Sequence, residues 1–248
     1  AALVAAGVIG LADDFMNVFK IGSHGGGLHI RHRLVLYAVV AAVGAWWFTA
    51  KLGFDSLHVP FVGDVVVGVV PYALFFISVI VATSFSVNQT DGLDGLAGGT
   101  LASAFGAYSL IAVLQGRYDL AAFCAVVMGA LFAFLWFNIY PARFIMGDTG
   151  AMSLGVTLGI VAMITHQPLL LPLIGFIFVL EMVTTILQIG SKKLFGKKIF
   201  LIAPIHHHFE ALGWPEPKVV MRFWVISWIT AALGVLIALL DVATHISP

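Results

Sequence analysis

Seven apolar stretches, each about long enough to cross a lipid bilayer as a helix, occupy most of this chain. A transmembrane helix needs roughly 20 mostly apolar residues. The stretches lie at residues 34–50, 65–87, 96–115, 119–137, 150–165, 168–190 and 218–241, and a shorter one opens the chain at residues 1–12. Backbone polar groups in lipid must pair within the spanning structure itself. The pattern therefore predicts an all-α fold, a polytopic transmembrane helical bundle with about eight spans.

Charged residues are too rare for a soluble globular domain. Asp, Glu, Lys and Arg together make up 10% of the 248 residues, and the mean hydropathy is +1.06. Soluble domains carry about 25% charged residues. We interpret residues 1–248 as a single integral membrane domain. Because Ala1 lies within an apolar run, we expect the N-terminal part of the fold to be missing from this chain.

The basic residues lie almost entirely on one side of the predicted membrane arrangement. If the spans alternate in direction, one set of loops contains residues 13–33, 88–95, 138–149 and 191–217. With the adjoining helix ends, that side carries Lys20, Arg31, Arg33, Arg143, Lys192, Lys193, Lys197, Lys198, Lys218 and Arg222. The other side carries only Lys51 and Arg117. An excess of Lys and Arg marks cytoplasmic loops, so we expect the first set to face the cytoplasm.

Four polar segments, all in the predicted cytoplasmic loops, contain nearly all the side chains capable of chemistry. They are Asp13–Asp14 and residues 88–99, 137–150 and 203–210. Short connecting loops need not be so rich in carboxylate, amide and imidazole groups, and the opposite loops are not. The concentration of these groups at one membrane surface predicts an active site.

The first two segments supply paired carboxylates. Asp13 and Asp14 are adjacent, and like charges this close favour a bound divalent cation or a raised pKa for one of them. Asp91 and Asp94 are three residues apart and share one face if the segment is helical. Solvation of a helix end also accounts for the first pair, and an N-cap for one member of the second, so both alternatives stay open.

The last two segments add an acid at a helix start and a run of imidazoles. Asp148 begins an apolar stretch, where a simple N-cap is the competing interpretation, and Asn138 lies nearby in the sequence. His206, His207 and His208 are consecutive in a loop that also carries lysines. Three adjacent imidazoles cannot all point one way, so we expect this run to bind an anion such as a diphosphate rather than zinc.

The oxygen-rich chemistry of these segments suits Mg²⁺. This ion keeps several waters and binds through one or two carboxylates together with substrate phosphates. The residues alone therefore predict metal-assisted phosphoryl chemistry on a lipid substrate at a membrane surface.

Four motifs give the chain a specific resemblance. They are Asp13-Asp14, TDGLDGLA at 90–97, MGDTG at 146–150 and APIHHHFE at 203–210. In this order they resemble the polyprenyl-phosphate N-acetylhexosamine-1-phosphate transferases, and most closely the branch that transfers phospho-MurNAc-pentapeptide. The resemblance covers essentially the whole chain. It implies that the predicted spans correspond to the larger part of the family's ten-helix fold.

The resemblance implies transfer of phospho-MurNAc-pentapeptide from UDP-MurNAc-pentapeptide to undecaprenyl phosphate, with Mg²⁺ as cofactor and UMP as product. It also implies a multi-pass protein of the bacterial inner (plasma) membrane with a cytoplasmic active site. Two alternatives stay open: a sister enzyme that uses UDP-GlcNAc, and a membrane transporter whose central acid is Glu181. The choice between monomer and homodimer stays open, and no nucleic acid is expected as a partner.

Position by position, the resemblance implies catalytic roles for Asp13, Asp14, Asp148 and His206. Asp148 matches the family's magnesium ligand, and Asn88 is the second residue expected at the metal. The positions expected to bind substrate are Asn88, Asp91, Asp94, Asn138, Gln188, His207 and His208. Glu181 lies inside a span, where an ionisable group usually has a partner or a function. A structural role facing the bundle interior is at least as well supported for it as a catalytic one.

Overall fold

Helices dominate the computed structural model, which describes residues 1–22 and 26–246 except for the side chains of residues 245 and 246. The helices are α1 (Ala2–Val18), α2 (Ile30–Trp46), α3 (Val69–Thr90), α4 (Leu96–Leu114), α5 (Tyr118–Asn138), α6 (Gly147–Ile164), α7 (Leu171–Ile174), α8 (Phe176–Phe195), α9 (Ile205–Ala211) and α10 (Glu216–Ile246). A π-helical turn at Trp47–Lys51 extends α2, and a 3₁₀ turn at Pro168–Leu170 precedes α7. Two short strands, β1 (Ser56–Val59) and β2 (Gly63–Val66), pair as an antiparallel hairpin.

Six helices in the described part of the chain are long and apolar enough to cross a membrane. They are Ile30–Lys51, Val69–Thr90, Leu96–Leu114, Tyr118–Asn138, Gly147–Ile164 and Glu216–Thr244. A further pair, Pro168–Ile174 and Phe176–Phe195, counts as a seventh span if its two parts cross together. These elements confirm the predicted all-α, multi-pass fold, and each of the seven longer predicted spans overlaps one of them. The opening stretch at residues 1–12 falls in α1, whose 17 residues are not among these candidate spans, so the described residues contain six or seven spans rather than eight.

Several local differences separate the structure from the prediction. The span predicted at 168–190 is broken, because its two helical parts meet at an angle of 82°. Residues 65 and 66 belong to the hairpin rather than to α3. The opening helix does not stop at the acidic pair but continues to Val18, so Asp13 and Asp14 lie within it.

The described residues divide into two compact units. The first contains residues 1–88, 146–171 and 237–248, and the second contains residues 89–145 and 172–236, apart from the positions that the structure does not describe. Each unit has its own buried apolar cluster. The expectation of a single domain stays a prediction.

Close packing of α6 against α1 and α3 positions the polar residues of the first unit. A Cβ atom added at Gly10 of α1 would lie 2.6 Å from the Cα of Thr149, at the start of α6. A Cβ atom added at Gly155 of α6 would lie 2.7 Å from the Cα of Ser84 in α3. Small residues at helix crossings let backbones approach closely in lipid. The start of α6 is therefore fixed by backbone contacts as well as by side chains.

In the second unit, the polar turn before α4 is held by an aromatic residue of α10. Trp224 donates a hydrogen bond from its indole N–H to the carbonyl oxygen of Gly95 at 3.0 Å. The same ring fills the space where a Cβ atom of Gly99 would lie. Leu96, Val219 and Phe223 are buried in the adjoining apolar cluster. These contacts attach the turn between α3 and α4 to a long helix.

The hairpin is attached to the end of α10 through a histidine. His58 lies 2.7 Å from Asp64 through Nδ1 and 2.7 Å from Asp241 through Nε2. The backbone N–H of Phe61 donates to the other oxygen of Asp241, also at 2.7 Å. Burial acts to lower the pKa of His58, but hydrogen bonds to Asp241 and Asp64 and their charges outweigh it and raise that pKa. The protonated imidazole can donate to both carboxylates at once.

Candidate active site

Three predicted site residues that are far apart in sequence lie together in the first unit. Asp13 belongs to α1, Asn88 to the end of α3 and Asp148 to the first turn of α6. The amide nitrogen of Asn88 donates a hydrogen bond to Oδ1 of Asp148. Asp13 is fully buried, and 9% of Asp148 is exposed. Three helices thus bring carboxylate and amide oxygens into one buried cluster.

Arg33, in the first turns of α2, lies at the centre of this cluster. Its Nη2 atom is 2.7 Å from Oδ2 of Asp13 and 3.0 Å from Oδ2 of Asp148. Its Nη1 atom donates to Oδ1 of Asp148 at 3.1 Å and to Oδ1 of Asn88 at 3.5 Å. One guanidinium group therefore contacts all three residues. The sequence pattern gave it no role beyond a cytoplasmic positive charge.

The two adjacent aspartates have different surroundings. Both oxygens of Asp14 accept hydrogen bonds at the start of α6, from the N–H of Asp148 at 2.9 Å and of Thr149 at 2.8 Å, and from the Thr149 hydroxyl at 2.5 Å. Free N–H groups at a helix start need such acceptors. Gly147, with φ +65°, brings the backbone close enough that a Cβ atom there would lie 2.9 Å from Asp14. Asp14 thus acts as the cap of α6.

Asp13, by contrast, faces the cluster. Its Oδ1 atom accepts a hydrogen bond from the N–H of Leu28 at 2.5 Å, and its Oδ2 atom pairs with Arg33. Asp148 is not the N-cap that the competing interpretation assigned to it, because Asp14 supplies the capping oxygens. The carboxylate of Asp148 is consequently available to the cluster.

The chemistry of the cluster fits a hard divalent cation. Two buried carboxylates share one guanidinium group, so negative charge exceeds positive charge, and an oxygen-rich site with excess negative charge favours a cation. Among the described residues, no group of three or more His, Cys, Asp or Glu side chains is arranged to hold a metal. A cation bound through Asp148 and Asn88 would therefore need water and substrate oxygens as further ligands. Mg²⁺ is usually coordinated in this way.

In the second unit, His206 pairs with the acid that lies inside an apolar span. Its Nδ1 atom is 2.9 Å from Oε2 of Glu181, and both residues are fully buried. Its Nε2 atom has no hydrogen-bond partner among the described residues. A Cβ atom added at Gly92 would collide with this ring. The glycine of the DGLDG motif thus leaves room for the imidazole, and the carboxylate fixes its orientation.

The other two histidines of the run have different partners. The segment forms the short helix α9 rather than a loop, with Pro204 preceding its first turn. His207 lies 2.6 Å from Glu210 through Nδ1, and 38% of its side chain is exposed. His208 accepts a hydrogen bond at Nδ1 from the N–H of Leu201 at 3.1 Å. The three rings point in different directions, as adjacent residues of a helix must.

Polar residues around the DGLDG turn connect backbone segments of the second unit. Asp94 accepts a hydrogen bond from the N–H of Ala142 at 2.9 Å. Asn138 accepts from the N–H of Gly95 at 3.0 Å and donates to the carbonyl oxygen of Phe144 at 2.9 Å. These contacts tie the loop after α5 to the turn before α4. Asp91, in the same turn, is partly exposed.

Gln188 of α8 plays a similar part before α9. Its Oε1 atom accepts hydrogen bonds from the N–H groups of Ile199 and Phe200, each at 3.0 Å, and its Nε2 atom donates to the carbonyl oxygen of Phe200 at 2.9 Å. The amides of Gln188 and Asn138 are both occupied by backbone groups. Substrate contact by either residue stays a prediction, as does a substrate-binding role for Asp91, Asp94, His207 and His208.

Comparison with known proteins assigns the chain to a family. Residues 1–166 match the sequence model of glycosyl transferase family 4. A phospho-N-acetylmuramoyl-pentapeptide-transferase of Geobacillus sp. (strain WCH70) is 41% identical over 235 residues, which are 94% of this chain and 72% of the relative. The chain belongs to the phospho-N-acetylmuramoyl-pentapeptide-transferase family. A protein of the same name from Geobacillus thermodenitrificans (strain NG80-2) is 38% identical over 234 residues, with the same coverage.

Membership of this family confirms the resemblance seen in the motifs and makes the chain an enzyme, a phosphotransferase. The long apolar helices make it a multi-pass membrane protein. Two residues that the sequence did not assign to the site, Arg33 and Glu181, contact predicted catalytic residues. An acid inside an apolar span was a usable signal for Glu181, whereas Arg33 was one of many basic residues in the predicted cytoplasmic loops.

Proposed function

We propose that this transferase moves phospho-MurNAc-pentapeptide from UDP-MurNAc-pentapeptide to undecaprenyl phosphate with Mg²⁺ as cofactor. The products are UMP and the first lipid-linked precursor of peptidoglycan. The names of the relatives support the reaction class. The observation that carries the proposal is the convergence of Asp13, Asn88 and Asp148 from three helices. The excess of Lys and Arg in the same loops supports a cytoplasmic site in the bacterial inner membrane.

Asp148 and Asn88 are the proposed protein ligands of Mg²⁺. They already lie in contact, and the cluster around them carries more negative than positive charge. Once bound, the ion would supply charge stabilisation for the diphosphate as UMP leaves. The remaining task of the protein is to hold the reacting phosphates in line, because phosphoryl transfer depends largely on positioning and charge.

Asp13 is the proposed partner of the lipid phosphate. Its carboxylate cannot turn freely, because the N–H of Leu28 holds one oxygen and Arg33 holds the other. In the reaction, an oxygen of undecaprenyl phosphate forms a bond to the phosphorus nearest the sugar, and the bond from that phosphorus to UMP breaks. Asp13 orients the attacking phosphate or accepts its proton. Asp14 supports this chemistry indirectly by capping α6.

His206 is the proposed substrate contact of the second unit. Glu181 holds the Nδ1 side of its ring, which leaves Nε2 for a ligand. Asp91 and His207 are partly exposed and can meet the substrate directly. Backbone N–H groups of the second unit are held by hydrogen bonds to the side chains of Asp94, Asn138, Gln188 and His208.

The alternatives receive less support. A sister enzyme using UDP-GlcNAc would share the acidic motifs, but both relatives are named for the muramoyl-pentapeptide substrate. A transporter with Glu181 as its central acid is disfavoured, because both relatives are named as transferases. Assay of UMP release from UDP-MurNAc-pentapeptide and from UDP-GlcNAc, each with undecaprenyl phosphate, separates the two enzymes. Whether the protein forms a homodimer stays open.

The substitution Asp148→Asn tests the role of the metal site. It keeps the shape of the side chain but removes the charge that would bind Mg²⁺. We expect UMP release to fall by about a thousandfold or more, because metal-assisted charge stabilisation contributes several kcal/mol. Asp119→Asn, at an exposed position in the first turn of α5, is the matched control and should turn over normally. Unchanged turnover of Asp148→Asn at saturating Mg²⁺ would contradict the proposal.

A further inference from the structure

Arg33 makes contact with every oxygen-bearing side chain proposed to act at the metal site. Its two terminal nitrogens contact both oxygens of Asp148, at 3.1 Å and 3.0 Å. The same group reaches Oδ2 of Asp13 at 2.7 Å and Oδ1 of Asn88 at 3.5 Å. A guanidinium group and a divalent cation satisfy the same need of these oxygens for positive charge.

The guanidinium group of Arg33 and a divalent cation compete for Asp148, because its carboxylate can accept only a limited number of contacts. An ionised carboxylate offers about four lone-pair positions. Two are taken by the nitrogens of Arg33, and a third by the amide of Asn88. A metal ion binding here would compete with these donors and would repel the guanidinium charge at short range. Cation binding at Asp148 therefore requires Arg33 to give up at least part of its pairing.

The surroundings of Arg33 allow such an exchange. Its side chain is 22% exposed, and its Nε atom has no partner among the described residues, so the polar contacts of its guanidinium are those with the cluster. The planar guanidinium group matches the geometry of phosphate as well as that of carboxylate and often binds either through two parallel hydrogen bonds. A displaced Arg33 would also free Oδ2 of fully buried Asp13 for the lipid phosphate.

We propose, building on the function proposed above, that Arg33 is an exchangeable counter-ion of this site. It competes with the divalent cation for Asp148 and Asp13, and it binds a phosphate group of the substrate when the cation holds those carboxylates. The same side chain then serves two purposes. It offsets the repulsion between two buried carboxylates, and it couples cation binding to binding of the diphosphate.

The first test measures cation affinity without substrate. Mn²⁺ is titrated into the purified protein and followed by electron paramagnetic resonance. Removing the competitor in Arg33→Ala should tighten Mn²⁺ binding by about tenfold, the factor expected from loss of one charge-assisted hydrogen bond. Arg33→Lys, which keeps the charge but loses the planar guanidinium group, should tighten Mn²⁺ binding less. Arg31→Ala, an exposed position two residues away, should change nothing.

If Arg33→Ala binds Mn²⁺ with the same affinity as the unmodified protein, or more weakly, the proposed competition between Arg33 and the cation is wrong. Weaker binding would mean that Arg33 only holds the ligands in place. If Arg33→Ala does not fold, as judged by size-exclusion chromatography, Arg33→Lys decides alone, and an unchanged Mn²⁺ affinity in it overturns the inference. If Mn²⁺ binds the unmodified protein and Asp148→Asn equally well, the proposed metal site itself fails, which separates the two claims.

The second test measures UDP affinity by calorimetry at saturating Mg²⁺. Arg33→Ala should bind UDP about tenfold more weakly, because a guanidinium–phosphate contact is lost. Arg31→Ala should bind it like the unmodified protein. Equal UDP affinity in Arg33→Ala and in the unmodified protein would overturn the assignment of phosphate binding to Arg33.

Discussion

Replacing Asp14 with alanine tests whether the two adjacent aspartates have different roles. Both oxygens of Asp14 accept hydrogen bonds from the start of α6. Asp13 instead faces Arg33 and the N–H of Leu28. We therefore expect Asp14→Ala to act mainly on the free energy of unfolding and Asp13→Asn to act mainly on turnover.

The cost of Asp14→Ala can be worked out from its contacts. Loss of a capping side chain costs about 0.5–2 kcal/mol, and loss of a negative charge at a helix start costs about 0.3–1 kcal/mol more. Asp14 is only half-buried, so water can satisfy part of the freed N–H groups. We take about 2 kcal/mol as the total. In a chain of this size each kcal/mol lowers the Tm by about 2–4 °C, so the expected decrease is about 4–8 °C.

The assay combines thermal unfolding in detergent with UMP release at a temperature well below the Tm. Asp13→Asn is the matched control, since asparagine can still accept from the N–H of Leu28 but cannot act as a base. It also loses the buried ion pair with Arg33, so its Tm should fall as well, but its turnover should drop by about a hundredfold or more at a temperature where it stays folded. If Asp14→Ala keeps its Tm while losing turnover as severely as Asp13→Asn, the assignment of Asp14 to capping is refuted.

Two further predictions concern buried or bridging histidines. Glu181→Gln should lower UMP release by about 10- to 100-fold, because the hydrogen bond that holds the ring of His206 is weakened. An unchanged rate would exclude a positioning role for Glu181. The raised pKa of His58 means that its contribution to stability is complete below the ordinary histidine pKa of about 6.5 and is lost as pH rises through the raised value. The difference in Tm between the unmodified protein and His58→Ala should therefore shrink with increasing pH, and a constant difference would show that the bridge to Asp241 does not depend on protonation.

The membrane architecture was predictable because it depends on segment length and hydropathy, which are visible in one sequence. The structure has apolar helices at the seven longer predicted spans, but the prediction did not include the 82° break before Phe176. That break falls at Gly175, three residues after Pro172, and these two residues were the available signal, since length and hydropathy alone do not divide the run. The hairpin was also missed, since its four-residue strands lie between apolar stretches and were counted as loop and span.

Within the site, the sequence predicted chemical types better than contacts. Asp13, Asn88 and Asp148 were selected for their oxygen atoms, and the structure brings them together. The separate duties of Asp13 and Asp14 were not predictable, because adjacent residues on a helix point in different directions and their partners come from other helices. Arg33 escaped notice for the same reason, since its partners lie 20, 55 and 115 positions away in the sequence.

Because α1 packs directly against α6, Gly10, which has no side chain, determines how closely the backbone of Asp148 can approach α1. A methyl group at Gly10 would meet the backbone of Asp148 itself, with only 2.7 Å to the carbonyl carbon. Relieving that overlap means pushing the two helices apart, and a misplacement of about 1 Å at a reacting group can cost about a hundredfold in rate. A saturation scan scored by growth should therefore rank position 10 beside the acids in intolerance. Variant libraries that sample only ionisable residues would pass over it.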